Sequence, residues 1–311
     1  MNPALPTEGG GRGRKGGVKI VENISRMSTL MKIMRKEGKS IGLVPTMGYL
    51  HEGHLSLVRA AKKHNDVAVM SVFVNPLQFG PNDDLAKYPR DFKRDEEKAR
   101  LAGVDVLFYP SEKEIYPSGY STYVEVKGLG DTLCGSSRPG HFKGVTTIVA
   151  KLFGIVKPDM AYFGQKDVQQ AAIIKKMTED LNMGIEIKIM PIVREKDGLA
   201  MSSRNVYLSE TERKDASILH QSLSTAESMV NQGEKDARKI IKAMELLIRQ
   251  KPSVKIDYIS IVDKRFLKEV SSISGEVLIA LAVFIGKTRL IDNIAIDPAA
   301  VKTEKSFARK A

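Results

Sequence analysis

Short apolar runs alternate with segments of helical periodicity over the first 190 residues of the chain. The run Ile41–Val44 is typical of a strand buried on both faces, whereas Leu55–Ala61 repeats its apolar residues with helical spacing. The same alternation predicts strands at Val67–Phe73, Val104–Phe108, Met160–Phe163 and Ile185–Ile189, and helices at Ser25–Lys36, Phe92–Ala102, Val145–Val156 and Val168–Leu181. Strands and helices that take turns predict an α/β fold, in which helices cover both faces of a parallel sheet.

The pattern changes beyond Ser209, where a second and smaller unit is predicted. Ser209 and Glu212 have the spacing of a capping box and indicate the start of a long helix. A second helix is predicted at Asp236–Arg249, and strands are predicted near Ile256–Val262, Val277–Phe284 and Arg289–Ile296. We therefore expect a parallel-sheet domain over residues 19–190 and a smaller C-terminal α+β domain over residues 191–297.

The net charge of the chain raises the question of whether the protein binds nucleic acid. The 311 residues carry a formal charge of +12, which first suggests nucleic acid. Residues 1–20 and 299–311 each carry a net charge of +3, so half of the excess lies near the ends. We expect disordered basic tails at residues 1–18 and 298–311, and no specific nucleic-acid partner. An organellar transit segment is an alternative interpretation of the first tail.

Composition and cysteine content indicate the compartment. Apolar residues make up 42% of the chain and charged residues 28%, as in ordinary soluble globular proteins. No run approaches the roughly 18 apolar residues of a membrane span, so we expect no membrane association. Cys134 is the single cysteine and cannot form an internal disulfide. A reducing compartment fits this composition, and we expect a cytoplasmic location.

The first chemical motif lies between the strand at Ile41–Val44 and the helix at Leu55–Ala61. It reads Pro-Thr-Met-Gly-Tyr-Leu-His-Glu-Gly-His over residues 45–54. A loop that opens a helix presents free backbone N–H groups to phosphate, and its glycines permit close approach. His51 and His54 are three residues apart and face the same ligand, so we predict an ATP site. A structural histidine pair, or a zinc site with further ligands, is an alternative.

A second motif, Gly-Gln-Lys-Asp-Val-Gln-Gln over residues 164–170, also follows a strand and opens a helix. Lys166 is placed to reach a phosphate beside the helix N-terminus, and Asp167 to accept from a ribose or help hold a cation. The alternative is that Asp167 only caps the helix and Lys166 is solvated.

Two further loops carry polar groups suited to small anions. Met-Ser-Ser-Arg-Asn over residues 201–205 offers two hydroxyls and a guanidinium to polyphosphate oxygens, although a polar linker could look the same. Gln78, in Val-Phe-Val-Asn-Pro-Leu-Gln-Phe, lies among apolar residues and suits a small hydroxylated acid, with a buried structural glutamine as the alternative. Residues 80–90 have the composition of a lid.

These four motifs, in their order and spacing along the chain, resemble those of the pantoate–β-alanine ligase family over residues 18 to 297. The resemblance implies a Rossmann-like domain of the nucleotidyltransferase type, followed by the smaller C-terminal domain, and a homodimer. It also implies the ATP-dependent condensation of D-pantoate with β-alanine through a pantoyl-adenylate, with release of pyrophosphate and AMP.

The family's site residues map onto this sequence motif by motif. The resemblance implies catalytic roles for His54, His51 and Lys166. It implies that Gln78 and Gln170 hold pantoate, that Gln78 borders β-alanine, and that Asp84 lies near Mg²⁺. The ATP-binding residues it implies are Met47, Gly48, Tyr49, Leu50, His51, Glu52, Gly53, His54, Gly164, Gln165, Lys166, Asp167, Val193, Met201, Ser202, Ser203 and Arg204.

Two other functions use some of the same features. An adenylyltransferase or an aminoacyl-tRNA synthetase could carry the same histidine signature. A synthetase should add an RNA-binding module, but beyond Ser209 the chain has neither strong basic clusters nor many aromatic residues. A nucleic-acid-binding protein that uses its basic tails would leave the clustered loop residues unexplained.

Overall fold

Six parallel strands form the sheet that organises the first part of the chain. The computed structural model describes residues 17–81 and 83–299, so the predicted tails lie outside the described residues apart from residues 17, 18, 298 and 299. The strands are β1 (Lys19–Val21), β2 (Ile41–Thr46), β3 (Val67–Val72), β4 (Val106–Phe108), β5 (Met160–Gly164) and β6 (Glu186–Met190). Their order is β1-β4-β3-β2-β5-β6 and all neighbours are parallel, which confirms the predicted fold class.

Helices cover both faces of this sheet. They are α1 (Ile24–Lys36), α2 (Glu52–His64), α3 (Phe92–Ala102), α4 (Glu112–Ile115), α5 (Cys134–Ser137), α6 (His141–Val156) and α7 (Val168–Asp180). Successive strand residues point to opposite faces, so Leu43 packs in the core that contains α1, α6 and α7, and Val44 in the core that contains α2 and α3. Both side chains are fully buried, which is why apolar residues predominate on both faces of the central strands.

A three-stranded antiparallel sheet forms a second core with its own helices. Its elements are α8 (Glu210–Asp215), α9 (Ile218–Asn231), α10 (Ala237–Ile248), β7 (Val254–Asp263), β8 (Val277–Ile285) and β9 (Thr288–Ile296). The strand order is β7-β8-β9, and apolar residues of the sheet pack against α9 and α10. The domain boundary at residue 190 stays a prediction. No helix in the described parts of the chain is long and apolar enough to cross a membrane.

One detail of the prediction is wrong, and one strand was missed. The capping box at Ser209 is present, but the long helix expected after it is broken between α8 and α9. At the break, the Ser217 hydroxyl donates to the Lys214 carbonyl oxygen at 3.0 Å and the Leu219 N–H turns to Ala216, so the regular hydrogen bonds are interrupted. Strand β1 was not predicted, because three residues are too few to show a period.

The order of the strands determines where a ligand can bind. Strands β3 and β4 continue the sheet on one side of β2, whereas β5 and β6 continue it on the other side. The loops that leave β2 and β5 therefore diverge and open a crevice at the carboxyl ends of these two strands. The loop after β2 is the one with the two histidines, and the loop after β5 is the one with Lys166.

A close contact between α6 and the turn Pro76–Gln78 gives a test of the packing. A Cβ atom on Gly144 would lie 2.2 Å from the Leu77 carbonyl oxygen, whereas a Cβ on Gly154 of the same helix would meet nothing within 4 Å. We expect Gly144→Ala to lower the free energy of unfolding by at least about 2 kcal/mol, because backbone must move. Gly154→Ala is the control and should raise it by roughly 1 kcal/mol. Urea unfolding measures both, and equal changes would contradict the packing.

Candidate active site

The turn between β2 and α2 has an unusual backbone that a buried carboxylate holds in place. Gly48 and Tyr49 both have positive φ, at 85° and 50°. The Asp95 carboxylate of α3 accepts the backbone N–H groups of Tyr49 and Leu50, each at 2.7 Å, and Asp95 is only 1% exposed. A Cβ on Gly48 would lie 2.9 Å from this carboxylate, so a glycine is required there.

Two other residues of α3 contact the same turn. Lys98 donates from Nζ to the Leu50 carbonyl oxygen at 2.9 Å, and the Arg94 guanidinium lies 4.4 Å from the centre of the Tyr49 ring. Burial raises the pKa of Asp95, although its two backbone hydrogen bonds act in the opposite direction. Helix α3 thus fixes both the backbone and the side chain of the turn that begins α2.

The turn places the two histidine rings in contact, tilted by 33° with respect to each other. The ring centres of His51 and His54 are 4.0 Å apart, and the His51 backbone N–H donates to Nδ1 of His54 at 3.3 Å. Burial, together with the nearby Lys166 and Lys98 charges, lowers the pKa of His54 to about 4, with Asp167 opposing the shift. Because Nδ1 accepts, the neutral ring carries its proton on Nε2 and can donate from there.

His51 is also held in the neutral form. Burial and then the neighbouring His54 lower its pKa far below the ordinary range. Its Nδ1 atom is buried and has no hydrogen-bond partner among the described residues. The pair can therefore supply neutral hydrogen bonds to a ligand in the crevice.

The loop after β5 places Lys166 opposite the histidines. A short 3₁₀ turn, Gln165–Asp167, precedes α7, and Lys166 Nζ lies 3.7 Å from the Asp167 carboxylate. Asp167 makes no capping hydrogen bond and the Lys166 side chain is 21% exposed, so neither fits the alternative of a capping aspartate and a solvated lysine. Asn293 of β9 donates to the carbonyl oxygens of Gln165 and Lys166, both at 3.0 Å, so the second sheet supports this turn.

The serine-rich loop contributes a guanidinium that is already paired. Ser202 accepts from the backbone N–H of Arg204 at 3.2 Å, and Ser203 shares a hydrogen bond of 3.0 Å with Tyr88. Arg204 donates from Nε and Nη2 to the two oxygens of Asp84, at 2.9 and 2.8 Å. Burial lowers the pKa of Arg204, but Asp84 more than offsets this, so the guanidinium stays charged.

Gln78 lies in a well-defined polar setting despite its apolar neighbours. Its side chain is 9% exposed, and Nε2 lies 3.0 Å from the Met47 sulfur. The backbone carbonyl oxygen of Gln78 accepts from Nδ1 of His141 at 2.8 Å and from Arg138 at 3.3 Å. Burial, followed by the Arg138 charge, lowers the pKa of His141 to about 4. Gln170 lines the same cavity from α7.

These loops enclose two connected cavities. The inner cavity, of about 220 Å³, lies at the carboxyl ends of β2 and β5, and a cleft of about 1070 Å³ separates the two sheets. The predicted residues that line the inner cavity are Met47, His51, Gly53, His54, Gln78, Gly164, Lys166, Asp167, Gln170, Val193, Met201, Ser202, Ser203 and Arg204. Lys166, Asp167 and Gln170 also line the cleft, so one ligand could extend through both.

Five predicted ATP-site residues line neither cavity. Leu50 is fully buried, the Tyr49 ring stacks with α3, and the Glu52 carboxylate pairs with an arginine of α2. Gly48 makes the turn, and Gln165 contacts the second sheet. These residues shape the loops rather than offer side chains to the cavities.

Sequence reasoning missed several residues of the site. Arg138 and His141 flank a Pro-Gly pair just before α6, which is the same loop-then-helix signal that located the two predicted loops. Asp95 and Asn293 gave no signal, because a carboxylate in a charged helix is typical of a solvated face. The described residues contain no group of three or more His, Cys, Asp or Glu that could hold a metal, so the zinc alternative lacks its further ligands.

Comparison with known proteins decides the family. A family model described as pantoate-beta-alanine ligase matches residues 19–295. The chain belongs to the pantoate–β-alanine ligase family. Pantothenate synthetases of Caldicellulosiruptor bescii and Acetivibrio thermocellus are both 58% identical to this ligase, over 278 and 280 residues. The alignments cover 89% and 90% of this chain, and 99% and 100% of those relatives.

Solved structures agree with this ligase assignment. The crystal structure of pantothenate synthetase from Thermus thermophilus is 42% identical, with a TM-score of 0.85 over 89% of this chain and 99% of that one. Pantoate-beta-alanine ligase from Francisella tularensis, complexed with beta-gamma ATP and beta-alanine, is 35% identical, with a TM-score of 0.73 over 90% and 99%.

Asp95→Asn tests whether the carboxylate positions the histidines of this ligase. The amide can accept one backbone N–H but must turn its NH₂ toward the other, so the turn will shift. We expect kcat for AMP release to fall by roughly tenfold to a hundredfold, as small displacements of catalytic groups do. Asp105→Asn is the control, because Asp105 also accepts a backbone N–H at 2.7 Å and a lysine at 2.8 Å but lines neither cavity. An equal loss of kcat in both variants would contradict the role.

The lowered pKa of His54 gives a second test. In an NMR titration of the free ligase, the His54 ring should titrate with a midpoint near 4, so it stays neutral at pH 7. The unfolded chain binds more protons than the folded one between this value and the ordinary 6.5, so His54 should lower stability as pH falls through that window. A midpoint near 6.5 would show that the ring is not desolvated.

Proposed function

We propose that this chain joins D-pantoate to β-alanine in its crevice, using the residues described above, and releases AMP and pyrophosphate. The assignment of roles rests on one observation, which is that side chains from several loops line the same cavity. Two neutral histidines, Lys166 and Arg204 line the inner cavity, and Gln78 and Gln170 line the same cavity. This arrangement suits one anionic nucleotide and one small hydroxylated acid side by side.

In the first step, a carboxylate oxygen of pantoate attacks the α-phosphorus of ATP. The new phosphorus–oxygen bond forms as the bond to pyrophosphate breaks, which gives pantoyl-adenylate. Both reactants are anions, so the rate depends on positive charge that offsets their repulsion and on in-line positioning. Lys166 and Arg204 supply charge, while His54 donates from Nε2 to a phosphate oxygen and His51 lies beside it.

In the second step, the free amine of β-alanine attacks the acyl carbon of the adenylate. The amide bond forms, the acyl–oxygen bond breaks, AMP leaves and one proton is released. We place Gln78 beside this amine, because Gln78 lines the inner cavity in which the adenylate would form. The cleft between the sheets gives the second substrate a route to the adenylate.

The carboxylates fit a Mg²⁺ ion that is held mainly by phosphate. Mg²⁺ usually takes one or two protein carboxylates and the phosphates of its substrate, so a full protein cage is not needed. Asp83 and Asp84 line the cleft, and each is paired with an arginine, Arg138 or Arg204. We propose that Asp84 holds the ion when ATP engages Arg204. Bound Mg²⁺ would neutralise charge on the β- and γ-phosphates.

Two wider assignments are also proposed. A homodimer is supported by residues 121–126, which lie outside the helices and strands, contain the half-exposed Tyr123 and make no backbone–backbone hydrogen bonds to the described residues. Within this segment, the Val124 backbone is held by the side chains of Thr146 and Thr147. Such a segment is suited to pairing with a second copy.

A cytoplasmic location is supported by Cys134, which is buried and free.

Two substitutions separate the proposed roles. His54→Ala should slow pantoate-dependent exchange of pyrophosphate into ATP by on the order of a hundredfold, as the loss of one transition-state donor does. Gln78→Ala should instead raise the KM for pantoate much more than the KM for ATP. Circular dichroism checks that both variants fold. Unchanged exchange in folded His54→Ala would refute its role, and equal KM increases in Gln78→Ala would refute the pantoate contact.

A further inference from the structure

A chain of hydrogen bonds runs from the outside of the inner cavity to the Gln78 side chain. The Tyr116 hydroxyl donates to Oδ1 of Asn75 at 2.7 Å. Asn75 donates from Nδ2 to the Gly144 carbonyl oxygen at 3.0 Å and to Oε1 of Gln78 at 3.1 Å. Asn75 is only 1% exposed, so water cannot replace these partners easily.

We propose that Tyr116 is a positioning residue that fixes the direction of the Gln78 amide, so that its N–H groups and not its oxygen face pantoate. This inference rests on the proposed function, because it assumes that Gln78 contacts pantoate. Tyr116 itself lines neither cavity, so it acts through Asn75 and Gln78 rather than on the substrate.

The orientation follows from the chemistry of one carbonyl group. The Gly144 carbonyl oxygen can only accept, so the atom of Asn75 that faces it must be the nitrogen. The oxygen of Asn75 then faces Tyr116, whose hydroxyl can donate to it. The second N–H of Asn75 points to Gln78 and requires the oxygen of Gln78 on that side. A reversed Gln78 would place two NH₂ groups against each other.

The opposite end of Gln78 is therefore a donor. Its Nε2 lies 3.0 Å from the Met47 sulfur, which is a weak acceptor that leaves N–H capacity for a ligand. A donor at this place selects an acceptor oxygen, such as a carboxylate oxygen or a hydroxyl lone pair of pantoate. A hydroxyl held in this way keeps its own proton for another partner.

Tyr116 is suited to hold Asn75 at all working pH values. Its ring packs against Phe73 and Tyr120, with ring centres 6.1 and 5.0 Å apart. Burial raises the pKa of its hydroxyl, so the group remains a donor. Without that hydroxyl, Oδ1 of Asn75 would be left buried and unpaired, at a cost that favours rotated amides.

Tyr116→Phe tests the inference, because it removes only the hydroxyl. We expect the KM for pantoate to rise by about tenfold, within the range expected for an unpaired buried acceptor. The KM for ATP should change little. Tyr120→Phe is the matched control, since its hydroxyl belongs to the same aromatic cluster but makes no hydrogen bond to the described residues, and it should leave all constants unchanged.

A second variant covers the case in which Tyr116→Phe folds poorly. Asn75→Asp has nearly the same shape but cannot donate, so Gln78 should turn its NH₂ toward the new carboxylate and its oxygen toward pantoate. The KM for pantoate should rise by more than in Tyr116→Phe. An unchanged KM for pantoate in either folded variant would overturn the inference, as would equal increases for ATP. A wild-type protein that cannot use pantoate would instead refute the proposed function.

Discussion

The site depends on the two hydrogen bonds that Asp95 accepts from the turn after β2. This turn reverses the chain with two consecutive residues of positive φ, one of which is not glycine, and such a backbone persists only where its surroundings hold it. Asp95 comes from α3, which packs on the same face of the sheet as α2. The sheet thus fixes the position of α3 relative to α2. The Asp95 carboxylate of α3 then holds the turn that positions His51 and His54.

Charge in the crevice is arranged as pairs before any ligand binds. Asp84 occupies the edge of Arg204 that Nε and Nη2 form, and Asp83 accepts from Nη2 of Arg138. A phosphate that binds the same edge of either guanidinium must displace a carboxylate, and Mg²⁺ or movement of the loop over residues 80–90 would favour that exchange. The two histidines differ from the arginines, because burial keeps them neutral. They can therefore donate hydrogen bonds near Lys166 without being repelled by its charge. Positive charge and neutral donors therefore line the same cavity from different loops.

The sequence predicted the parts of the structure that repeat locally. Strands β2 and β3 are apolar at both faces and the helices keep their period, so their places were visible without coordinates. The loops at Met47 and Lys166 were found because each combines unusual residues with a strand-to-helix boundary. Partners distant in sequence were not visible. Asp95 lies 46 residues beyond Tyr49, and only the packing of α3 shows that it faces inward.

Formation of the adenylate in this crevice requires a pantoate carboxylate to attack the α-phosphorus of ATP. The most direct measurement is a reaction with D-pantoate labelled with oxygen-18 in its carboxylate, together with ATP, Mg²⁺ and β-alanine, followed by mass spectrometry of the products. Attack at the α-phosphorus leaves one carboxylate oxygen on phosphorus, so we expect labelled AMP and unlabelled pyrophosphate. Unlabelled AMP, or label in inorganic phosphate with ADP, would contradict it.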